Sequence, residues 1–298
     1  MDFNGDVVVV TGAGAGMGRE HALLLGRLGA RVVVNDVGVG LQGQETGERP
    51  GDEVVRLITD AGGTAVADTH SVATEEGAAA IIRTALDAFG RVDAVVNNAG
   101  ILRDRTFGKM SIDELRAVLE VHLIGSFLVT QAAWPHFREQ QHGRIVMTTS
   151  GAGLYGNFGQ ANYAAAKMGL VGLTRTLAVE GARDNIKANA LSPAARTRMS
   201  DATLEEDFAS RLDPALVSPA VAVMAHRDCP WTGETIAAGG GRVARVVISE
   251  TPGFVDTALT ADGLMANLDK VVDPEGSFVP DGVPAQAEFL LGRISGRV

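Results

Sequence analysis

Short apolar runs dominated by valine alternate with longer stretches in which apolar positions recur at helical spacing. The runs at residues 7–10, 31–35, 64–67, 92–97, 144–149 and 187–191 are nearly continuous, and a seventh is expected at 234–237. Continuous apolar runs, unlike alternating ones, predict strands covered on both faces. Helices are expected over residues 17–28, 52–61, 74–89, 112 to about 137, 160–183 and 219–225. Ser111 followed by Glu114 forms a capping box that fixes the start of the fourth helix. The order strand, helix, strand predicts an α/β fold of Rossmann type. Its doubly wound parallel sheet would have about seven strands, with helices on both faces.

Two segments break this rhythm. Residues 37–51, VGVGLQGQETGERPG, form a glycine-rich loop longer than most strand-to-helix connections, which suggests a functional or partner-facing excursion. From about Val243 the chain carries prolines at 252, 274, 280 and 284, with one expected helix at 262–270. We therefore divide it into a dinucleotide-binding and catalytic domain at 1–242 and a C-terminal extension at 243–298. The extension packs on the domain or on a neighbouring subunit; the plainer alternative is a loosely ordered terminus. No repeat of 20–50 residues and no low-complexity linker divides the first part.

Composition narrows the function. Of 298 residues, 26 are Lys or Arg and 36 are Asp or Glu, a net charge of −10 that opposes generic binding to nucleic acid or anionic membrane. One cysteine and six histidines without HExxH spacing leave no metal-site pattern and no internal disulfide. The start, MDFNGDVVVVTG, has no basic region before its apolar run, and that run is short for a signal peptide or a membrane span. The end, SGRV, carries no lipidation or peroxisomal address, so a reduced, cytoplasmic setting is expected.

The first strand runs into Thr11-Gly12-Ala13-Gly14-Ala15-Gly16-Met17-Gly18 and then into a helix. Glycines there permit a tight turn and close approach of backbone N–H groups to a pyrophosphate, to which a helix N-terminus adds partial positive charge. Such a turn is weak evidence in isolation; the strand before it and the helix after it are the informative context. The second strand ends at Asp36, 24 residues after Gly12, where a carboxylate accepts from adenosine ribose hydroxyls and repels a 2′-phosphate. Val37-Gly38-Val39 offers no basic partner for such a phosphate, so NAD is expected over NADP. The fourth strand ends in Asn97-Asn98-Ala99-Gly100, small and amide residues suited to a cofactor floor or simply to an Asx-type turn.

The fifth strand delivers Ser150, and 13 residues later comes Tyr163, followed by three alanines and Lys167. A spacing of four places phenol and ammonium on one helix face. A free phenol ionises near pH 10, so a base working at neutral pH asks for about 4 kcal/mol of preference for the phenolate, much of which a neighbouring ammonium can supply. Each of these residues is ordinary alone; the combination after the glycine turn is not.

Together, TGxxxGxG, NNAG, the serine and YxxxK resemble the short-chain dehydrogenase/reductase family over about the first 240 residues. The strings ILRDRTF, HLIGSF, QAAW and LYGNFGQANYAAAK, with the loop after Asp36, are more specific. They resemble the (3R)-hydroxyacyl-CoA dehydrogenase branch found in peroxisomal multifunctional enzyme type 2, also called 17β-hydroxysteroid dehydrogenase type 4. The resemblance implies that Ser150, Tyr163 and Lys167 are catalytic and that Lys167 also holds the nicotinamide ribose. It implies an NAD site lined by Gly12, Gly14, Gly16, Met17, Gly18, Asp36, Asn98, Ala99 and Gly100, with Pro193 and Thr197 near the carboxamide. Ala194-Ala195-Arg196 departs from the commoner Pro-Gly pattern there. His122 stands where many members have a relay asparagine, and is either a catalytic relay residue or a core histidine. His70 occupies the usual position of an adenine-site aspartate, which leaves Asp68 and the backbone of Val72 as the adenine contacts.

The expected reaction is oxidation of a (3R)-3-hydroxyacyl-CoA, including steroid or other bulky acyl groups, to the 3-ketoacyl-CoA. Arg103, Arg105, Lys109 and Arg198 are candidates for the CoA phosphates or plain surface charges. The alternatives are a hydroxysteroid or other secondary-alcohol dehydrogenase, or a catalytically silent dinucleotide-binding regulatory protein. A homodimer or homotetramer through the fourth and fifth helices is implied by the resemblance.

Overall fold

The computed structural model describes residues 1–38, 40, 49–196 and 210–295. Its strands are β1 (Val7–Thr11), β2 (Arg31–Asn35), β3 (Thr64–Asp68), β4 (Ala94–Asn97), β5 (Gly143–Thr148), β6 (Ile186–Pro193), β7 (Thr235–Gly239) and β8 (Arg242–Val246). They form one sheet in the order β3-β2-β1-β4-β5-β6-β7-β8, with parallel pairing from β3 through β7. The eighth strand falls at the boundary where the extension was expected to start. Gly240 and Gly241, both with positive φ, turn β7 back into it. A two-residue hairpin loop needs that conformation, which glycine adopts without a Cβ clash.

Helices cover both faces, as the valine runs require. Val8, Val10, Val32, Val34 and Val96 pack toward α1 (Gly16–Arg27), α2 (Pro50–Asp60) and α8 (Ser218–Ala225). Their neighbours Val7, Val9, Val33 and Val95 face α3 (Glu75–Phe89), α5 (Gly125–Glu139) and α7 (Ala161–Glu180). Successive side chains on a strand point to opposite faces, so burial on both sides removes the polar alternation. β1 lies between β2 and β4, so the chain reverses direction across the sheet there. Such a reversal opens a crevice beyond the carboxyl ends of the strands.

The expected fourth helix is interrupted. α4 (Ile112–Leu119) carries the complete Ser111–Glu114 capping box, and a π-helical turn over Glu120–Ile124 joins it to α5. By length and composition alone Ile112–Glu139 is apolar enough to cross a membrane; here Val118, Val129, Ala133 and Phe137 place it in the core. A short helix α6 (Gly151–Tyr155), not expected from the pattern, follows β5. The long loop is also shorter than expected at its end, because Pro50 opens α2 and Gly51 lies inside it. Residues 39 and 41–48 of that loop lie outside the described residues.

The described chain divides into compact units at residues 1–245 and 246–298. In the second, Glu250 pairs with Phe278 in an antiparallel bridge, Phe278 stacks on Phe289 at 4.8 Å, and Thr251 donates to the Val271 carbonyl at 2.7 Å. The one helix expected there is two, α9 (Ala261–Met265) and α10 (Leu268–Val272). A further helix, α11 (Val283–Ile294), has Pro284 in its first turn, where a missing N–H is harmless. Counting that proline as a loop signal hid the helix.

Candidate active site

At the tip of β1 the backbone is pressed too close for side chains. A Cβ on Gly12 would lie 2.7 Å from Ala99 Cα, and one on Gly18 would lie 2.2 Å from the Gly12 carbonyl oxygen. Gly12 and Gly16 also have positive φ, 64° and 53°. Thr11 Oγ1 accepts from the N–H groups of Asn98 and Ala99 at 3.0 and 3.1 Å, and the Asn98 amide donates to the carbonyls of Thr11 and Gly12 at 3.0 and 3.1 Å. The NNAG segment thus braces the glycine turn, and Asn98 uses its amide hydrogens on that brace. Met17 is half-buried in the first turn of α1, whose N-cap Ala15 has no side-chain acceptor for the first amides. Those amides and the open glycine surface fit a dinucleotide pyrophosphate.

Asp36 links the turn to the end of β2. Its two carboxylate oxygens accept from the N–H groups of Gly14 and Gly38, each at 2.8 Å. A carboxylate has about four acceptor sites, so ribose hydroxyls fit beside these bonds. Asp68 is different. It is buried, and its carboxylate accepts from the Asn35 amide, the His70 N–H and imidazole, and the Thr84 hydroxyl, all at 2.7–3.0 Å. This corrects its expected role: the side chain ties the β3 end together and has no acceptor site left for adenine. The Val72 side chain is in the core, and a Cβ on Gly125 would meet it at 2.9 Å. Pro193 ends β6, and Arg196 donates its N–H to the Leu212 carbonyl at 2.7 Å; Thr197 and Arg198 lie outside the described residues. Arg105 is ion-paired with Glu114 at 2.9 Å, which ties that candidate for phosphate to the capping box.

The chemical residues converge from β5 and α7. Ser150 caps α6, accepting from the Ala152 N–H at 3.2 Å, and its hydroxyl lies near enough to the Tyr163 phenol to favour that phenol's ionisation. Lys167 is buried, 5.5 Å from the Tyr163 ring centroid, and donates to the Thr148 carbonyl. Neighbours overlooked in the sequence hold it there. Thr149 Oγ1 donates to the Lys167 carbonyl at 2.6 Å, and any side chain on Gly153 would put its Cβ 2.8 Å from Lys167 Cβ. Buried Asn162 donates to the Arg103 carbonyl at 2.9 Å and accepts from the Tyr163 N–H at 2.8 Å. The GAG triplet after Ser150 was the available signal for α6 and for this close approach.

Burial dominates the ionisation of the pair. It raises the Tyr163 phenol above its ordinary value; the nearby Ser150 hydroxyl works against this and the Asp104 charge with it. Burial lowers Lys167 to about 7. In the free chain desolvation drives both groups toward neutral forms, so the expected phenolate held by an ammonium belongs to the cofactor-bound state. His122, in the π-helical turn, is buried with its ring 5.2 Å from that of Tyr163, and burial followed by the Lys167 charge lowers it well below the ordinary histidine range.

A parallel sheet with a glycine turn at its switch point, and a serine, tyrosine and lysine gathered at the next strand tips, defines a nicotinamide-type oxidoreductase scaffold. A family model described as short chain dehydrogenase matches residues 6–207, and the chain belongs to the short-chain dehydrogenase/reductase family. A short-chain type dehydrogenase/reductase of Mycobacterium tuberculosis is 56% identical over 91% of this chain and 95% of its own length. A hydroxyacyl-CoA dehydrogenase of the same organism is 45% identical over 66% of this chain and 63% of its own. The structure of full-length peroxisomal multifunctional enzyme type 2 from Drosophila melanogaster superposes with a TM-score of 0.84 at 38% identity. It covers 99% of this chain, which spans half of that one.

Proposed function

We propose that this oxidoreductase uses NAD to oxidise a (3R)-3-hydroxyacyl-CoA to the 3-ketoacyl-CoA. The observation that carries the chemistry is the Tyr163 ring 5.5 Å from the buried Lys167 ammonium, with the Ser150 hydroxyl on the phenol's side of the cleft. Support for the thioester comes from the relatives described as a hydroxyacyl-CoA dehydrogenase and a peroxisomal multifunctional enzyme. Support for NAD comes from the Asp36 carboxylate at the β2 tip, which repels a 2′-phosphate.

Bound NAD supplies the acceptor for the hydride that leaves the carbinol carbon. Ser150 holds the substrate oxygen as the C=O bond forms, and the hydroxyl proton passes to the Tyr163 oxygen. In the reverse direction the phenol returns that proton to the ketone. Burial favours the phenol in the free chain, so oxidation speeds up with rising pH and reduction slows. An oligomer through the fourth and fifth expected helices fits the exposed Ile112, Ile124, Phe127, Met168 and Val179 along α4, the π-helical turn, α5 and α7.

The test is a parallel screen of (3R)- and (3S)-hydroxyacyl-CoA thioesters and free steroid alcohols with NAD and NADP, following near-ultraviolet absorbance of the reduced cofactor. Turnover of (3R)-thioesters with NAD above all other combinations is expected. Faster turnover of free steroid alcohols assigns a hydroxysteroid dehydrogenase, and preference for NADP removes the role given to Asp36.

A further inference from the structure

His122 is held from three sides. Its Nε2 lies 2.8 Å from the Ile101 carbonyl oxygen and 3.1 Å from the Ile101 N–H, so one backbone residue fixes that corner of the ring. The Tyr163 ring stands nearly perpendicular to it, at 88°. On a third side is Gly100, where an added Cβ would lie 2.3 Å from His122 Cε1 and 3.0 Å from Nδ1. Gly100 is absent from the positive-φ glycines, so the backbone there does not call for glycine. Space does.

We infer that Gly100 and His122 are a positioning pair for Tyr163, the glycine leaving the hole that the imidazole fills and the imidazole acting as the spacer that fixes the orientation of the phenol ring. The inference rests on the reading of Tyr163 as the acid–base residue and adds a task for two residues that the sequence left to the cofactor floor and to a relay. The imidazole works here through its shape and its Ile101 contact. A misplacement of about 1 Å at a reacting group lowers a rate on the order of 100-fold, so a spacer with no chemical step of its own still governs turnover. The charged groups acting on the two rings are Lys167 and Asp104, and both remain in every variant below.

The chain has two tyrosines, and Tyr155 is 76% exposed. In a Tyr155→Phe background, ultraviolet titration of tyrosinate therefore reports Tyr163 alone, without cofactor or substrate. Gly100→Ala is expected to lower kcat about 100-fold and to shift the Tyr163 titration. The double variant Gly100→Ala/His122→Ala, in which the new methyl enters the vacated space, recovers at least about tenfold of that loss. A second pair covers the case in which Gly100→Ala fails to fold. His122→Ala admits water and moves the Tyr163 titration toward that of an ordinary phenol, whereas His122→Phe keeps it near the parent. Three results overturn the inference: a double variant no better than Gly100→Ala, a Tyr163 titration common to all variants, or a His122→Phe variant that titrates like His122→Ala. Absence of turnover by the unsubstituted protein with every alcohol would instead defeat the reading of function, and the titrations would still judge the pair.

Discussion

At the tips of β1, β2 and β4 the cleft is shaped by missing side chains, whereas at β5 and α7 it is shaped by ionisable groups taken out of water. Gly12 and Gly18 let backbone meet backbone, and Thr11, Asn98, Asp36 and Asp68 are engaged with main-chain or side-chain donors and acceptors. Across the cleft, His122 Nδ1 and Thr148 Oγ1 are buried without a partner among the described residues, and Lys167 is fully buried. The first half is therefore a cradle whose polar groups are already partnered. The second carries desolvation penalties that a bound ligand can relieve, which is where a reaction gains from differential stabilisation.

The comparison can be broken most forcefully at Tyr163. Tyr163→Phe removes the proton acceptor and keeps the ring, so turnover falls by about 10³-fold or more while cofactor affinity changes little, as stopped-flow turnover and fluorescence binding would report. A variant retaining near-normal turnover would remove the chemistry from this half of the cleft.

Gly18→Ala attacks the cradle, since its Cβ would lie 2.2 Å from the Gly12 carbonyl oxygen. Cofactor binding weakens on the order of 100-fold and the protein loses about 1–3 kcal/mol, measured by calorimetric titration and urea melts. Unchanged affinity would mean that the turn holds no dinucleotide.

Lys167→Met sharpens the contrast because function and stability move in opposite directions. The folded value of Lys167, about 7, lies below its ordinary 10.5, so between those pH values the unfolded chain binds more protons and stability rises with pH. Below about pH 7 the burial penalty is present in full. The methionine variant is therefore more stable than the parent at pH 6, by on the order of 2 kcal/mol, and that advantage shrinks toward pH 10. An advantage independent of pH would show that Lys167 is not desolvated.

The smallest effect is expected at Asp36. Asp36→Asn keeps one acceptor oxygen but removes the charge that repels a 2′-phosphate, and the preference for NAD over NADP narrows about tenfold, read from the ratio of dissociation constants. Full retention of the preference would place the discrimination elsewhere in the cradle.

Much of the cleft was legible because it is local. The glycine turn, the carboxylate at the β2 tip and the four-residue spacing of Tyr163 and Lys167 are patterns within a few residues of one another or at a fixed place in the strand order. The misreadings were made by distant partners. Asp68 looked available in sequence, yet Asn35 from β2 and Thr84 from α3 take its oxygens. The π-helical turn that buries His122 lies inside what reads as one continuous helix, and nothing in its periodicity marks the interruption. Pro284 reads as a break and instead sits in the first turn of α11.

By itself the sequence determined the α/β alternation, the covering of the sheet on both faces, the family and the residues that meet at the strand tips, because these follow from side-chain period and from backbone conformations that glycine permits. Only the tertiary structure decided how far Lys167 and His122 are withdrawn from water and which rings His122 packs against. Desolvation and ring packing are set by groups far apart along the chain, and an amino-acid order that places a lysine beside a tyrosine does not say how much water is left between them.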